Sequence, residues 1–145
     1  MSAGSQATLG SATKLKQGDA ASPEVFTTVA EVLTLERSGR KIDLVDVTNM
    51  DSPVDGDLTW REFIHGLADG GEIKFSANYI PDNVSQQNFT NSFDGTRRNW
   101  QIVLPNSLGT WSFTGFITAA DMKFPIDKQM EFSGTIKVTG ADTFA

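Results

Sequence analysis

His65 is the only histidine and cysteine is absent, so few routes to chemistry are open to this chain. A serine relay would have to run through His65, whose neighbours Glu62 and Gly66 form nothing like a nucleophile elbow. The imidazole is therefore predicted to be a hydrogen-bonded or interfacial group. Zinc needs more nitrogen or sulfur ligands than one histidine supplies. Asp51, Asp55 and Asp57 have some of the spacing of a calcium loop, but Pro53 stands where an oxygen ligand is required if Asn49 opens it. No glycine-rich phosphate loop occurs. The expectation is a protein without catalytic, metal or cofactor sites.

The same carboxylates carry a different signal. Between residues 42 and 72 there are eight acids and one base, Arg61, a segment charge of −7 in a chain of net charge −6. Such a block can be a solvated face. In a protein that self-associates it can also meet a neighbour's basic patch, such as Arg97-Arg98 or Arg40-Lys41, or face a polyanion that must not bind. Clustered Lys and Arg are what nucleic-acid binding needs, and the overall balance argues against it. The lack of cysteine suits a reducing compartment. Residues 1–6 have neither a basic nor an apolar signal-peptide region, and no apolar run approaches membrane-spanning length. Secretion by that route and membrane anchoring are not expected.

These groups must be positioned by a mainly β framework. At 145 residues the chain fits one domain, 1–145, with residues 1–7 as a flexible N-terminal arm. Period-2 alternation places Ile73, Phe75, Ala77 and Tyr79 on one strand face, and Met130, Phe132, Gly134, Ile136 and Val138 on another. Trp100, Ile102 and Leu104 form a shorter run. Trp111, Phe113, Gly115 and Ile117 face inward on a strand whose Phe116 and Ala120 put apolar groups on the opposite face, which predicts cover on both sides. Weaker strands are predicted at residues 8–16, 30–36 and 41–47. Residues 82–94 read as a short helix capped by Asp82 and stopped at Gly95, with Phe89 and Phe93 packed on a sheet. Residues 48–59 read as one long acidic loop.

Two segments then carry a family resemblance. Residues 60–82, WREFIHGLADGGEIKFSANYIPD, are similar to the tail tube signature in which an aromatic-Arg-Glu block and a Gly-Leu pair lead through Asp-Gly-Gly-Glu into an alternating strand ending Tyr-x-Pro. Gly70-Gly71 suits a tight turn there. Residues 110–140, TWSFTGFITAADMKFPIDKQMEFSGTIKVTG, resemble the closing hairpin of the same family, the tail tube proteins of long-tailed, non-contractile bacteriophages.

That resemblance implies a β-sandwich or partly closed barrel flanked by one short α-helix, forming hexameric rings stacked into a hollow tube. Partners would be the chain itself, the tape measure protein, the distal tip initiator and the tail terminator. DNA would pass through an acidic or neutral lumen without specific binding. The place would be the virion tail, assembled in the host cytoplasm. The subunit interface would use Asp51, Asp55, Asp57, Trp60, Arg61 and Glu62, with Arg97 and Arg98. Two rivals remain: a tube protein of a contractile tail or secretion machine, and a monomeric carbohydrate-binding or capsid-decorating β module that offers Trp60, Trp100 or Trp111 to a sugar.

Overall fold

The structure, a computed structural model, describes Ser5 and residues 9–19 and 23–145; most of the expected N-terminal arm therefore lies outside the described residues. Seven antiparallel strands make one sheet. In chain order its members are β1 (Lys14–Gly18), β2 (Phe26–Thr28), β3 (Val32–Ser38), β8 (Glu72–Asn78), β9 (Arg98–Val103), β10 (Thr110–Lys123) and β11 (Glu131–Phe144). Their spatial order is β2-β1-β9-β10-β11-β8-β3. The sheet curls until β1 approaches β3, giving a partly closed barrel with its apolar side inward. Between β3 and β8 the chain makes four further strands, β4 (Lys41–Asp46), β5 (Val54–Asp55), β6 (Leu58–Thr59) and β7 (Phe63–Asp69), which pair only among themselves.

Alternation explains the core. Ile73, Phe75 and Ala77 of β8 face the same interior as Phe132, Ile136 and Val138 of β11, Phe113 and Ile117 of β10, and Trp100 and Ile102 of β9. Burying each large side chain contributes about 1.5–3 kcal/mol. The double-sided cover expected for β10 is not found. A β-bulge between Ile117 and Ala119 advances the alternation by one residue, so Ala120 turns to the core side and packs there with Met122.

Helix α1 (Val84–Asn91) packs on the barrel through Phe89, which enters the core. Its cap is Asn83, not the expected Asp82: the Asn83 side chain accepts from the amides of Ser85 and Gln86, the positions a capping oxygen must reach. Gln86 is buried with its polar atoms satisfied. Its amide nitrogen donates to the carbonyls of Ala30 and Asn78, and its oxygen accepts from the amide of Ile80. Ser85 Oγ accepts from the amide of Ala30, tying the helix to the gap between β2 and β3. Phe89 is fully buried, edge-on to Phe75, Phe132 and Trp100. Phe93 departs from expectation, being 57% exposed. The helix ends two residues before it, because Ser92 caps the last turn and its hydroxyl both donates to the Asn88 carbonyl and accepts from Gln17 Nε2.

Candidate subunit interface

The β3–β8 pair does not end at the barrel. Ser38 lies opposite Glu72, and across a short break Lys41 lies opposite Asp69 in the same register, so β4 and β7 prolong the ribbon as an arm. The expected tight turn at Gly70-Gly71 is instead a kink in a strand that continues onward. Gly71 has φ +83, and a Cβ there would stand 2.2 Å from the Ser38 carbonyl oxygen, so only glycine fits.

The distal part is more ordered than a long loop. Within residues 48–59, β5 and β6 form a small hairpin turning at Gly56, and Trp60 donates its amide to the Pro53 carbonyl. Ser52 is buried, accepting from the Asn49 amide and donating to Glu62 Oε2 at 2.9 Å. The Glu62 amide donates to Thr48 Oγ1. Asp46 is hydrogen-bonded by Thr48 and faces Arg61 at 3.8 Å, which holds its carboxyl below the usual aspartate range.

What this arm lacks is a partner. Of twenty-one large exposed apolar side chains among the described residues, eleven fall between Ile42 and Leu67. They occupy both faces: the alternation and register put Leu44 and Phe63 on one side, Val45 and Ile64 on the other. An isolated two-stranded ribbon is marginal in water, and contiguous exposed apolar surface of this kind marks an interaction site. The absence of a clean alternation is also why β7 was not foreseen from the sequence.

The predicted interface residues fall in two places. Asp51, Asp55, Asp57 and Arg61 are exposed on the arm, beside the half-exposed Trp60 and the partly buried Glu62. His65 is on the arm too, opposite Leu44. Arg97 and Arg98 are elsewhere, at the start of β9; Arg97 is exposed, and Arg98 Nη2 is 3.9 Å from Asp94. Thr96 hydrogen bonds lower the Asp94 pKa, with Arg98 adding to the effect. One subunit does not bring these two groups together. The cluster at the root of the arm was not foreseen: Arg40 and Trp111 are expected in other roles, but they meet Arg37 and Asp142 from distant parts of the chain, and no local pattern signals that meeting.

A family model described as the lambda phage tail tube protein matches residues 11–145. The chain belongs to that family. It is a subunit of a phage tail tube, and its place is the tail of the virion. The tail of an empty gene transfer agent particle, refined with C6 symmetry, is similar at 21% identity over 96% of this chain and 99% of that one, with a TM-score of 0.74. The sheath/tube terminator of an extracellular contractile injection system matches at 12% identity over 99% of both chains, TM-score 0.70. The SPP1 tail tube matches at 12% identity over 94% of this chain and 77% of that one, TM-score 0.64. These likenesses establish a shared fold. A comparison with curated protein sequences finds no match.

Proposed function

We propose that this single-domain tube subunit polymerises as stacked hexameric rings into the conduit of a non-contractile tail, through which DNA is delivered without specific binding. The observation that carries this reading is the arm, apolar on both faces and uncovered in one subunit. A neighbouring copy supplies the cover, and cyclic repetition applies the same contact at every position. The C6 symmetry of the related gene transfer agent tail supports six subunits per ring. The tip carboxylates Asp51, Asp55 and Asp57, with Trp60, Arg61 and Glu62, interlock with a neighbour through Arg97-Arg98 or Arg40-Lys41. The tape measure protein, the distal tip initiator and the tail terminator bound the tube, which assembles in the host cytoplasm. The role is structural, not enzymatic.

Passage of a polyanion is compatible with the open face of the sheet. Lys137 lies directly opposite Glu72, Lys74 opposite Glu36, and Lys123 opposite Glu131. On these strands a phosphate backbone sliding over that face meets each lysine paired with an acid, and only Lys14 and Lys16 of β1 stand opposite neutral residues there. Membership in the lambda family favours a non-contractile tail over a contractile one; failure to bind a contractile sheath is the corresponding expectation.

Deleting Met50 to Asp57 tests the arm. The monomer should retain its circular dichroism while negative-stain microscopy shows no tubes. Normal tubes from the deletion would reduce the tip to a solvated connection.

A further inference from the structure

The arm leaves the sheet at a glycine break, where a β-ribbon would otherwise bend freely, yet the side chains around that break converge on the end of β11. Asp142 Oδ2 accepts from Arg37 Nη1 at 2.7 Å, and its other oxygen faces Arg40 Nη2 at 3.7 Å. The Asp142 side chain is only 5% exposed. Arg37 uses its second terminal nitrogen to donate to the Gly70 carbonyl at 3.0 Å, so one planar guanidinium joins β11 to the hinge. Both guanidinium groups lie over the ring of Trp111, at 5.4 and 5.8 Å from its centroid. On the far side of the break, Lys137 Nζ donates to Asp69 Oδ1 at 2.8 Å and the Val138 amide donates to the Gly71 carbonyl.

The backbone of β11 aims the carboxylate there. Ser112 pairs with Thr143 and Thr114 with Thr139, so residues 140–142 stand against Phe113 alone. This bulge, with Gly140 at φ +81, breaks the alternation and turns Asp142 toward Arg37. A buried carboxylate held by two cations, both lying over one aromatic ring, is an expensive arrangement to maintain unless its geometry matters.

We propose that the bulge near the C-terminal end of β11 is a latch that sets the angle of the arm, with Asp142 as its positioning residue acting through Arg37 and Arg40. Its burial leaves it little surface to offer a neighbour, so an effect on assembly passes through the hinge or through the exposed Arg40. The consequence for tubes rests on the reading of the arm as the subunit interface; the latch itself belongs to the monomer.

The lack of cysteine makes the test direct. Spin labels introduced by Thr59→Cys on the arm and Thr118→Cys on the sheet report the angle in the full-length monomer by pulsed dipolar spectroscopy. The distance distribution should be narrow in the parent and should broaden, or gain a second population, with Asp142→Asn. Asp142→Glu should restore the narrow distribution, and Asp94→Asn, at a carboxylate outside the hinge, should leave it unchanged. If Asp142→Asn does not fold, Arg37→Lys serves instead, keeping the charge but losing the two-way reach to Asp142 and Gly70. A distribution that stays narrow in the folded Asp142 or Arg37 variant overturns the latch and leaves the interface reading untouched. A broadened distribution supports the latch whether or not tubes form, because a neighbouring copy can reorder a loosened arm; the interface itself is tested by the deletion of Met50 to Asp57.

Discussion

Truncating Phe89 to Ala should be among the most damaging single changes outside the arm, and its size follows from what surrounds the ring. Phe89 is fully buried, with centroids of Phe75, Phe132 and Trp100 at 4.9, 5.4 and 5.7 Å, all approaching edge to face. Removing a buried phenylalanine costs about 3–5 kcal/mol, and the spread depends on how far neighbours collapse into the space. Collapse is poor here. The ring lies directly over Gly134, where even a Cβ would stand 2.6 Å from its tip, so that position has no side chain to swing inward. Of the other partners, Phe75 and Phe132 are already packed edge-on against one another, and Trp100 is tied by its Nε1 to the Gly115 carbonyl. The upper part of the range, about 4–5 kcal/mol, is therefore expected. Against a typical total of about 5–15 kcal/mol this is a large fraction, and it corresponds to a fall in Tm of roughly 8–20 °C for a domain of this size. Phe93→Ala, at an exposed ring beyond the helix, should stay within about 0.5 kcal/mol. Urea denaturation of both variants, with m-values compared, gives the two numbers. Equal losses for the two, or a loss below about 1 kcal/mol for Phe89, would refute the packing argument.

Other expectations concern the arm and its root. Replacing Asp51, Asp55 and Asp57 by Asn should weaken polymerisation more at low salt than at high salt, because exposed pairs of about 0.2–1 kcal/mol each are screened; sedimentation across a salt series reads this. Gly71→Ala should destabilise the fold by well over the roughly 1 kcal/mol expected for Gly56→Ala in denaturant titrations. Both have positive φ, but the new methyl at 71 meets the Ser38 carbonyl whereas that at 56 meets open space. The hinge should also loosen in acid. Hydrogen bonds from Arg37 hold the Asp142 carboxyl below its ordinary value near 3.8, and Lys137 does the same to Asp69. A lowered folded pKa means that their contribution is complete above that ordinary value and is lost as pH falls through the folded one. Amide exchange in residues 41–69 should therefore rise below about pH 4, and Asp142→Asn should flatten part of that response.

The strands whose one face meets the core were legible as residues. Ile73-Phe75-Ala77 and Phe132-Gly134-Ile136-Val138 alternate because a pleated strand with one dry side and one wet side leaves no other pattern. The helix was legible for a similar reason, although its cap was displaced by one residue and Phe93 fell outside it. The resemblance in residues 60–82 and 110–140 pointed to the family that the chain belongs to. The arm was only half legible. Its acids were conspicuous, but a ribbon that awaits cover on both faces has no core side to impose a period, so β7 was hidden and residues 48–59 read as loop. In β10 a bulge at Thr118 moved Ala120 and Met122 to the core side, and no residue type announces a bulge of that kind.

The root of the arm was decided by tertiary structure alone. Gly70-Gly71 can turn a chain back or kink it forward with the same dihedral freedom; pairing of β7 with β4 and β8 with β3 in one register selects the kink. Arg37 and Asp142 are 105 residues apart in sequence and 2.7 Å apart in space. Composition and alternation act over a few neighbouring residues and determined the strands with one face in the core, up to the points where a bulge intervenes. Charges that meet across the sheet do so only once strand order, register and a bulge have been chosen together by the packing of the whole barrel.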